Sequence, residues 1–312
     1  MSWKNESSVK EFWLLGFHNP HNLKIPLFIL FLVIYISILS GNLLIIVLVL
    51  VSRYLNSPLY FFLSNLSWSD IILTTVVIPT MLAILLTNGK SMSFSGCIIQ
   101  LYLFGSSTIA ECFLLTVMSY DRYLAICNPL HYYLIMDLRL RVLLVAWSWV
   151  FAYLLTMITV SQMSQLHYCG PNVIDHFLCD PTSLMKLSCS DTSAIELQNL
   201  IMGLPVTLVP VGFITVTYTY ILITILKITS SAGRQKAFST CSSHLAVVCI
   251  YYGTLITLYV IPSKSLSVDL TKVQSLLYTV MTPLFNPIIY SLRNYEIQTV
   301  IKRIIYKKHC LH

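Results

Sequence analysis

Charged side chains are scarce in this sequence. Asp, Glu, Lys and Arg together make up 10% of its 312 residues, whereas soluble domains contain about 25%. Hydrophobic residues account for 56%, and the mean hydropathy is +0.77. A chain this apolar cannot present a water-soluble surface, so we expect one integral membrane domain with no separate soluble module.

The motifs of membrane enzymes and transporters are missing as well. The sequence has no HExxH, no GxSxG and no histidine-rich inner face, which argues against an enzyme. A transporter or channel could use Asp70 and Glu111 as an ion path, but no inverted repeat or pair of broken helices is evident. Neither class therefore has a sequence signal of its own, and an enzyme ranks last.

The first 24 residues lack the apolar core of a cleavable signal peptide. They are short and polar, with Lys4, Glu6, Lys10 and Glu11 among them. We expect residues 1–24 to form an extracellular segment, in which Asn5 begins a triplet, Asn-Glu-Ser, that fits the N-glycosylation pattern.

Seven apolar runs follow, each near or above the roughly 20 residues that a spanning helix needs. They lie at Ile25–Val51, Leu59–Leu86, Cys97–Cys127, Val142–Gln162, Leu197–Ile228, Phe238–Ile261 and Thr271–Leu292. Prolines inside the runs should kink helices rather than end them, because neighbouring helices satisfy the freed carbonyls; they are Pro79, Pro205, Pro210, Pro283 and Pro287. The sequence predicts an all-α fold, a seven-transmembrane helix bundle over residues 25–292.

The positions of the basic residues predict the orientation of the bundle. Most of the 19 Lys and Arg residues fall on one side, where the only acids are Asp121, Asp137 and Glu296. The positive-inside rule then places the N-terminus outside and the C-terminus inside. The net charge of +7 is therefore a topology signal, and it does not indicate nucleic-acid binding. Residues 293–312 are expected to be cytoplasmic, with a short amphipathic helix at Asn294–Tyr306 along the inner leaflet and a plain thiol at Cys310.

The third run connects features of both membrane faces. A helix from Cys97 to Arg122 would be about 37 Å long, enough to cross a bilayer with tilt. Glu111 lies midway along it, and an acid inside a spanning segment usually faces the interior of a bundle. This layout, with an outer cysteine, a polar middle and a charged inner end, is typical of a signal carrier.

The long loop at Met163–Glu196 is the one extramembrane segment with several candidate ligands. Its three cysteines, with Cys97, allow three disulfide pairings. A zinc or copper site formed by His167, Cys169, His176, Cys179 and Asp180 is the alternative. We favour disulfides, because an oxidised cysteine has no thiolate to give to a metal.

Several sequence segments resemble those of one receptor family. They are MSYDRYLAICNPLHY (118–132), KAFSTCSSHL (236–245) and PLFNPIIYSLRN (283–294), together with PLYFFLSNLSWSD (58–70) and Gly41-Asn42. In combination they resemble the olfactory receptors, a branch of the rhodopsin-like G-protein-coupled receptors, and KAFSTC resembles the tetrapod-type, class II branch. The resemblance covers about Gly41 to Asn294. Ser119, Leu59 and Tyr251 stand where Ala, Met and Phe are commoner, and each can shift basal activity.

The resemblance implies a switch at the inner end of the bundle, formed by Asp121, Arg122, Tyr123, Tyr218, Asn286, Pro287 and Tyr290. In such receptors Arg122 is held by the acid at rest and freed to meet the G protein; the alternative is an interface arginine that snorkels. Pro287 and Tyr290 resemble the inner hinge of the seventh span, and Tyr218 is expected to face Tyr290 across the opened cleft.

The resemblance also implies an ion site and a pair of disulfides. Asp70, Glu111 and Asn286 would converge where similar receptors hold a sodium ion, and a protonated, hydrogen-bonded cluster is the alternative. Cys97–Cys179 resembles the disulfide that ties the third span to the long loop, which leaves Cys169–Cys189 as a second bridge.

The outer half of the bundle lacks charge. No charged residue occurs between Cys97 and Ala110, and no lysine occurs between Lys272 and Arg293, which excludes a retinal Schiff base. We expect no buried charge there, and an apolar lining with hydroxyl groups suited to a small neutral volatile. The expected lining residues are Phe104, Gly105, Thr108, Ile109, Cys112, Val206, Thr207, Tyr252, Leu255, Thr257, Tyr259, Tyr278 and Thr279.

The resemblance implies an odorant receptor of the plasma membrane and not an enzyme. Its expected partners are a small-molecule odorant, the lipid bilayer and a stimulatory, olfactory-type heterotrimeric G protein whose activation raises cAMP. Apart from the sodium ion, no cofactor is expected.

Overall fold

The structure is a computed structural model that describes residues 9–17, 23–169, 171–260, 268–293 and 297–303. Asn5 and Cys310 lie outside these residues, and the side chains of Thr257 and Tyr259 are also outside the described part. Over the described residues the chain is a bundle of long helices with a small sheet at one end.

The bundle consists, in the described residues, of six long helices and one composite helix. The long helices are α1 (Lys24–Val51), α2 (Pro58–Thr87), α3 (Phe94–Cys127), α5 (Leu138–Gln165), α7 (Ser193–Lys227) and α8 (Ser231–Val260). The composite helix joins α9 (Val268–Leu276), a π-helical turn (Leu277–Met281) and α10 (Thr282–Arg293). Short helices α4 (Tyr132–Ile135) and α6 (Pro181–Leu187) lie in the connections.

Helices α1, α2, α3, α5 and α7 are long and apolar enough to cross a membrane, by length and composition. The apolar part of α8 within the described residues, Cys241–Ile256, is shorter. With the composite helix they make a seven-transmembrane helical bundle, as the sequence predicts. Prolines lie inside α2, α7 and α10 without ending them, because adjacent helices support the backbone there.

Several helix starts are set by side-chain caps. Ser93 accepts a hydrogen bond from the backbone N–H of Gly96 at the start of α3, and Asp137 accepts one from Leu140 at 2.7 Å at the start of α5. Such caps satisfy N–H groups that a helix leaves unpaired in its first turn. They place the starts of α3 and α5 at defined positions.

A three-stranded sheet, which the sequence analysis did not predict, closes one end of the bundle. Strand β1 (Glu11–Leu14) lies in the middle, antiparallel to β2 (Lys90–Ser93) and parallel to β3 (Val173–Ile174). Phe12 and Leu14 of β1 are buried while their neighbours are exposed, as expected for a strand with one buried face. We call this sheet and the loop at 166–192 the lid, and the two ends of the bundle the lid end and the Arg122 end.

Helix α3 lies at the centre of the bundle. It contacts α2, α5, α7 and α8, so residues along it reach most of the core. Helix α1 packs on α10 where Gly41 lacks a side chain: a Cβ there would be 3.0 Å from Cβ of Pro287. Beyond α10, residues 297–303 are helical, with Ile297 and Val300 buried and Lys302 exposed, which makes this segment amphipathic.

Candidate functional site

Arg122 is paired with its neighbour Asp121 near the end of α3. Nε of Arg122 donates to Oδ2 of Asp121 at 2.9 Å, and Nη2 donates to the same oxygen. Both residues are buried. A charge pair enclosed in this way is held by attraction that water cannot screen well. The geometry is that of an arginine restrained by its acid.

Tyr132, which the sequence analysis did not single out, completes this pair. Its hydroxyl donates to Oδ1 of Asp121 at 2.8 Å from the short helix α4. Burial, assisted by the Asp121 charge, raises the pKa of Tyr132 above its ordinary value, so the phenol stays protonated and remains a donor. The only sequence feature that pointed to Tyr132 was its place at the end of the segment 118–132.

Tyr218 contacts a histidine of α8 in this structure. Its hydroxyl lies 2.7 Å from Nδ1 of His244, and the two rings stack with centroids 5.7 Å apart. Tyr290 is buried, and its hydroxyl has no hydrogen-bond partner among the described residues. The expected approach of Tyr218 to Tyr290 concerned an opened cleft and stays a prediction. His244 is a second residue that the sequence analysis missed.

Asp70 and Asn286 meet in the middle of the bundle. Nδ2 of Asn286 donates to both carboxyl oxygens of Asp70, at 3.1 and 2.9 Å. Glu111 is fully buried, and within the described part of the chain neither of its carboxyl oxygens has a hydrogen-bond partner; Oδ1 of Asn286 and Oγ of Ser107 are also unpartnered there. These unsatisfied oxygens fit a small, hard cation.

Hydroxyl groups from three helices meet at Thr108. Its Oγ1 donates to the carbonyl of Phe104 at 2.8 Å and accepts a bond from the Tyr278 hydroxyl. Its backbone carbonyl accepts a bond of 2.6 Å from the hydroxyl of Tyr251. A ring contact between Phe104 and Tyr278, with centroids 5.7 Å apart, completes the cluster. Thr108 therefore connects α3 to α8 and to the π-helical turn.

The other expected lining residues within the described part lie on α3, α7, α8 and the π-helical turn, and their surroundings differ. Tyr252 donates to the carbonyl of Cys112 at 3.0 Å, and Leu255 is buried. Gly105 is tight against α5, because a Cβ there would be 2.9 Å from Cγ2 of Thr156. Two others bond within their own helices, Thr207 to Gly203 and Thr279 to Ser275, and Ile109 is half-buried. Val206, on α7, lines a groove between α3 and α7 with Pro205 and Phe113.

Two disulfides hold the lid. They join Cys97 to Cys179 and Cys169 to Cys189, the pairs that the resemblance implied. Gln100 of α3 adds a bond of 2.9 Å, in which its Oε1 accepts from the backbone N–H of Cys179. Because Cys169 and Cys179 are both in disulfides, the alternative metal site in the loop loses its sulfur ligands.

The expectation that the outer half of the bundle holds no buried charge is wrong. The side chain of Lys272, on α9, is 1% exposed, and its Nζ donates to Oδ1 of Asp175 of the lid at 2.6 Å, while Asp175 is 41% exposed. Lys272 looked like a flanking charge because the sequence cannot show that the lid folds over it. This ion pair attaches the loop to the seventh span.

His176 lies buried beside this ion pair. Its Nδ1 accepts a bond of 3.3 Å from the backbone N–H of Leu178, and its Nε2 has no hydrogen-bond partner in the described ranges. Burial lowers the pKa of His176 below its ordinary value of 6.5, with Asp180, Lys272 and Asp175 as the charged groups around it. The imidazole is therefore neutral at neutral pH.

Comparisons with known proteins show which family the chain belongs to. A family model described as olfactory receptor matches residues 31–308. Olfactory receptor 11A1 of Homo sapiens is 46% identical over 305 residues, covering 98% of this chain and 96% of the relative. Olfactory receptor 10A7 of Homo sapiens is 46% identical over 308 residues, covering 99% and 98%.

A mouse relative gives the same result. Olfactory receptor 5G26 of Mus musculus is 45% identical over 310 residues, covering 99% of this chain and 98% of the relative. These relatives are named as receptors and not as enzymes. The family model and the relatives show that this chain, a multi-pass membrane protein, belongs to the olfactory receptor family.

Proposed function

We propose that this chain binds a small neutral volatile in the lid half of the bundle and activates a stimulatory heterotrimeric G protein, raising cAMP. In the plasma membrane the lid and residues 1–24 face outwards, and the Arg122 end and residues 293–312 face the cytoplasm. Disulfides persist in oxidising compartments, which supports an extracellular lid, and basic residues at the other end support a cytoplasmic one.

The observation that carries the proposal is the series of contacts that α3 makes along its length. Cys97 is bonded to the lid, Thr108 to α8 and the π-helical turn, and Arg122 to Asp121 at the far end. A ligand that changes the contacts of Thr108 therefore acts on the same helix that holds the restrained arginine. This supports transmission from a ligand to a G protein through α3 and α8.

A neutral ligand suits the charges of the lid half. Residues 98–110 of α3 carry no charge, and the buried Lys272 is already paired with Asp175. A protonated amine would gain no unpaired carboxylate from that stretch of α3. A ten-carbon ligand that buries about 300 Å² of apolar surface gains about 7 kcal/mol at most, so affinity in the micromolar range or weaker is expected.

Asp70, Glu111 and Asn286 are the residues that would hold a sodium ion. A bound cation would supply a positive charge against the two buried carboxyl groups. Ser107 is a further oxygen donor close to this cluster, because Ser69, next to Asp70, donates to its backbone carbonyl at 3.1 Å. Without a cation, buried carboxyl groups of this kind take up a proton instead.

Substitution of Arg122 tests the coupling part of the proposal. Arg122→Ala removes the restrained guanidinium, and we expect it to abolish ligand-evoked cAMP while the receptor still reaches the cell surface. Arg139→Ala, which removes an exposed arginine at the same end of the bundle, is the matched control and should signal normally. A well-expressed Arg122→Ala receptor with undiminished signalling would contradict the proposed role.

Matched ligands test the pocket. Dose–response curves for a ketone, an amine and an alkane of equal size should show activation by the ketone and none by the amine. Thr108→Val and Tyr259→Phe each remove one hydroxyl, and losing one hydrogen bond costs about 0.5–1.5 kcal/mol, up to about tenfold in potency. A receptor that responds best to the amine, and whose ligand potencies are unchanged by both substitutions, would refute this description of the pocket.

A further inference from the structure

Two adjacent tyrosines of α8 reach across to the same turn of α3. The hydroxyl of Tyr251 donates to the carbonyl of Thr108 at 2.6 Å and lies 3.2 Å from Sγ of Cys112. The hydroxyl of Tyr252 donates to the carbonyl of Cys112 at 3.0 Å. Tyr251 is completely buried. Three polar contacts therefore join α8 to one turn of α3, and two of them depend on a single oxygen atom.

The contacts that Tyr251 makes with α3 are separate from the backbone hydrogen bonds that form this helix. In an α-helix the carbonyl of residue 108 already accepts a bond from the backbone N–H four residues later. The Tyr251 hydroxyl uses the second lone pair of that oxygen. Its loss would leave α3 intact as a helix and would weaken only the attachment of α8.

The site of attachment coincides with the proposed pocket. Thr108 and Cys112 are one helical turn apart and face the same side of α3, and Tyr278 bonds the side chain of Thr108 from the π-helical turn. The rings of Tyr251 and Tyr278 lie 6.1 Å apart. A ligand at this level meets the Tyr251 hydroxyl as the donor that holds α8.

We propose that the Tyr251 hydroxyl is a positioning group that holds α8 against α3 in the resting receptor, and that ligands bearing a hydrogen-bond acceptor release it by replacing the Thr108 carbonyl. The attachment itself stands on the contacts above, whereas its consequence for signalling rests on the proposed function. The ligand class follows from the chemistry: a ketone, aldehyde or ester oxygen accepts a hydrogen bond from the Tyr251 hydroxyl, and an alkane does not.

Tyr251→Phe tests the attachment, because it removes one oxygen atom and keeps the ring. Phenylalanine is the commoner residue at this position in the family that the sequence resembles, so the fold accepts it. The measurement is the rate at which N-ethylmaleimide alkylates Cys112 in purified receptor, resolved by mass spectrometry of the individual cysteine peptides. Cys112 is buried, so its rate reports how often α8 and α3 separate.

We expect Tyr251→Phe to raise the alkylation rate of Cys112 about two- to tenfold, the range that loss of one hydrogen bond in a membrane bundle produces. Tyr35→Phe is the matched control, since it removes a hydroxyl that bonds Thr75 at 3.3 Å between α1 and α2, and Cys112 should react at the wild-type rate. An unchanged rate in Tyr251→Phe overturns the proposal.

Signalling assays separate this inference from the proposed function. Ligand-free cAMP should rise by the same two- to tenfold in Tyr251→Phe, and the preference for a ketone over an alkane of equal size should shrink by a similar factor. Faster alkylation of Cys112 in a receptor that never raises cAMP would support the attachment and refute the proposed coupling. A ketone preference that is undiminished in Tyr251→Phe would refute the release mechanism.

Discussion

Lys272 and Asp175 form one ion pair, but removing Asp175 should destabilise the lid much more than removing Lys272. The Lys272 ammonium is almost completely enclosed, with a side chain 1% exposed, whereas 41% of the Asp175 side chain reaches solvent. Asp175→Asn therefore leaves a buried cation without its counter-charge. Lys272→Met leaves a carboxylate that water can solvate, and the methionine refills the space of the lysine stem.

The magnitude follows from these exposures. Breaking a buried ion pair by removing one partner costs about 3–5 kcal/mol, and the partial access of water to Asp175 places Asp175→Asn near the lower value, about 3 kcal/mol. Exposed charges contribute about 0–1 kcal/mol, so Lys272→Met should cost no more than about 1 kcal/mol. The double variant should resemble Lys272→Met, because it leaves no unpaired charge in the interior.

Hydrogen exchange of lid amides measures this effect locally. The backbone N–H groups of Leu15 and Gly16 bond to carbonyls of Ile174 and His176, at 3.0 and 3.1 Å, and they exchange when the lid opens. A cost of about 3 kcal/mol corresponds to roughly 100-fold faster exchange in Asp175→Asn. Lys186→Met, at an exposed lid position, is the control. Equal acceleration by Asp175→Asn and Lys272→Met would refute the reasoning.

Three further predictions concern the lid and the helix packing. Because burial lowers the pKa of His176, the imidazole binds a proton more readily in the unfolded state than in the folded lid. Lid stability is therefore full above about pH 6.5 and falls below it by up to about 1.4 kcal/mol per pH unit. In His176→Gln this pH dependence, measured by hydrogen exchange, should disappear. Gly41→Ala places a methyl group 3.0 Å from Pro287, and should lower the thermal unfolding midpoint, whereas the controls Val33→Ala and Ile36→Ala, at exposed positions of α1, should not. Cys169→Ser removes a bridge that closes a loop of 20 residues, which costs about 3 kcal/mol, and peptide mapping should still find Cys97 bonded to Cys179.

The long helices were predictable because a bilayer leaves little choice of backbone structure. A spanning segment must satisfy its own hydrogen bonds, so an apolar run of sufficient length becomes a helix. The runs Ile25–Val51 and Leu59–Leu86 accordingly end within one residue of α1 and α2. Family membership was predictable from the motifs and is confirmed by the comparisons.

The lid was not predictable, because its contacts are between distant parts of the chain. Strand β1 has only four residues, Glu11–Leu14, and pairs with Lys90–Ser93 and Val173–Ile174. So short an alternation of exposed and buried residues is a weak signal. The burial of Lys272 was missed for the same reason, since a lysine at the end of a spanning run looks the same whether water or a folded loop covers it.

The candidate site was only partly predictable. The pairing of Asp70 with Asn286 joins residues that the resemblance had brought together, and Arg122 meets its sequence neighbour. Tyr132, His244 and the hydroxyl of Tyr251 were missed as contacts, because their partners lie on other helices. Which side chains touch a ligand stays a prediction.

The middle position of β1 in the lid sheet has a consequence for the timing of biosynthesis. The ribosome makes β1 before either of its neighbours, and β3 follows about 160 residues later, which at about 5–20 residues per second is roughly 10–30 s. Until β2 is made, about 80 residues after β1, the strand and its two apolar side chains, Phe12 and Leu14, have no neighbouring strand, and the edge that pairs with β3 stays open for the rest of the interval. The sheet can be completed only after α5 has been made, so an early-formed strand depends on chain that is made late. With the N-terminus outside, as proposed above, this segment would wait in the lumen and offer a binding site to a chaperone there.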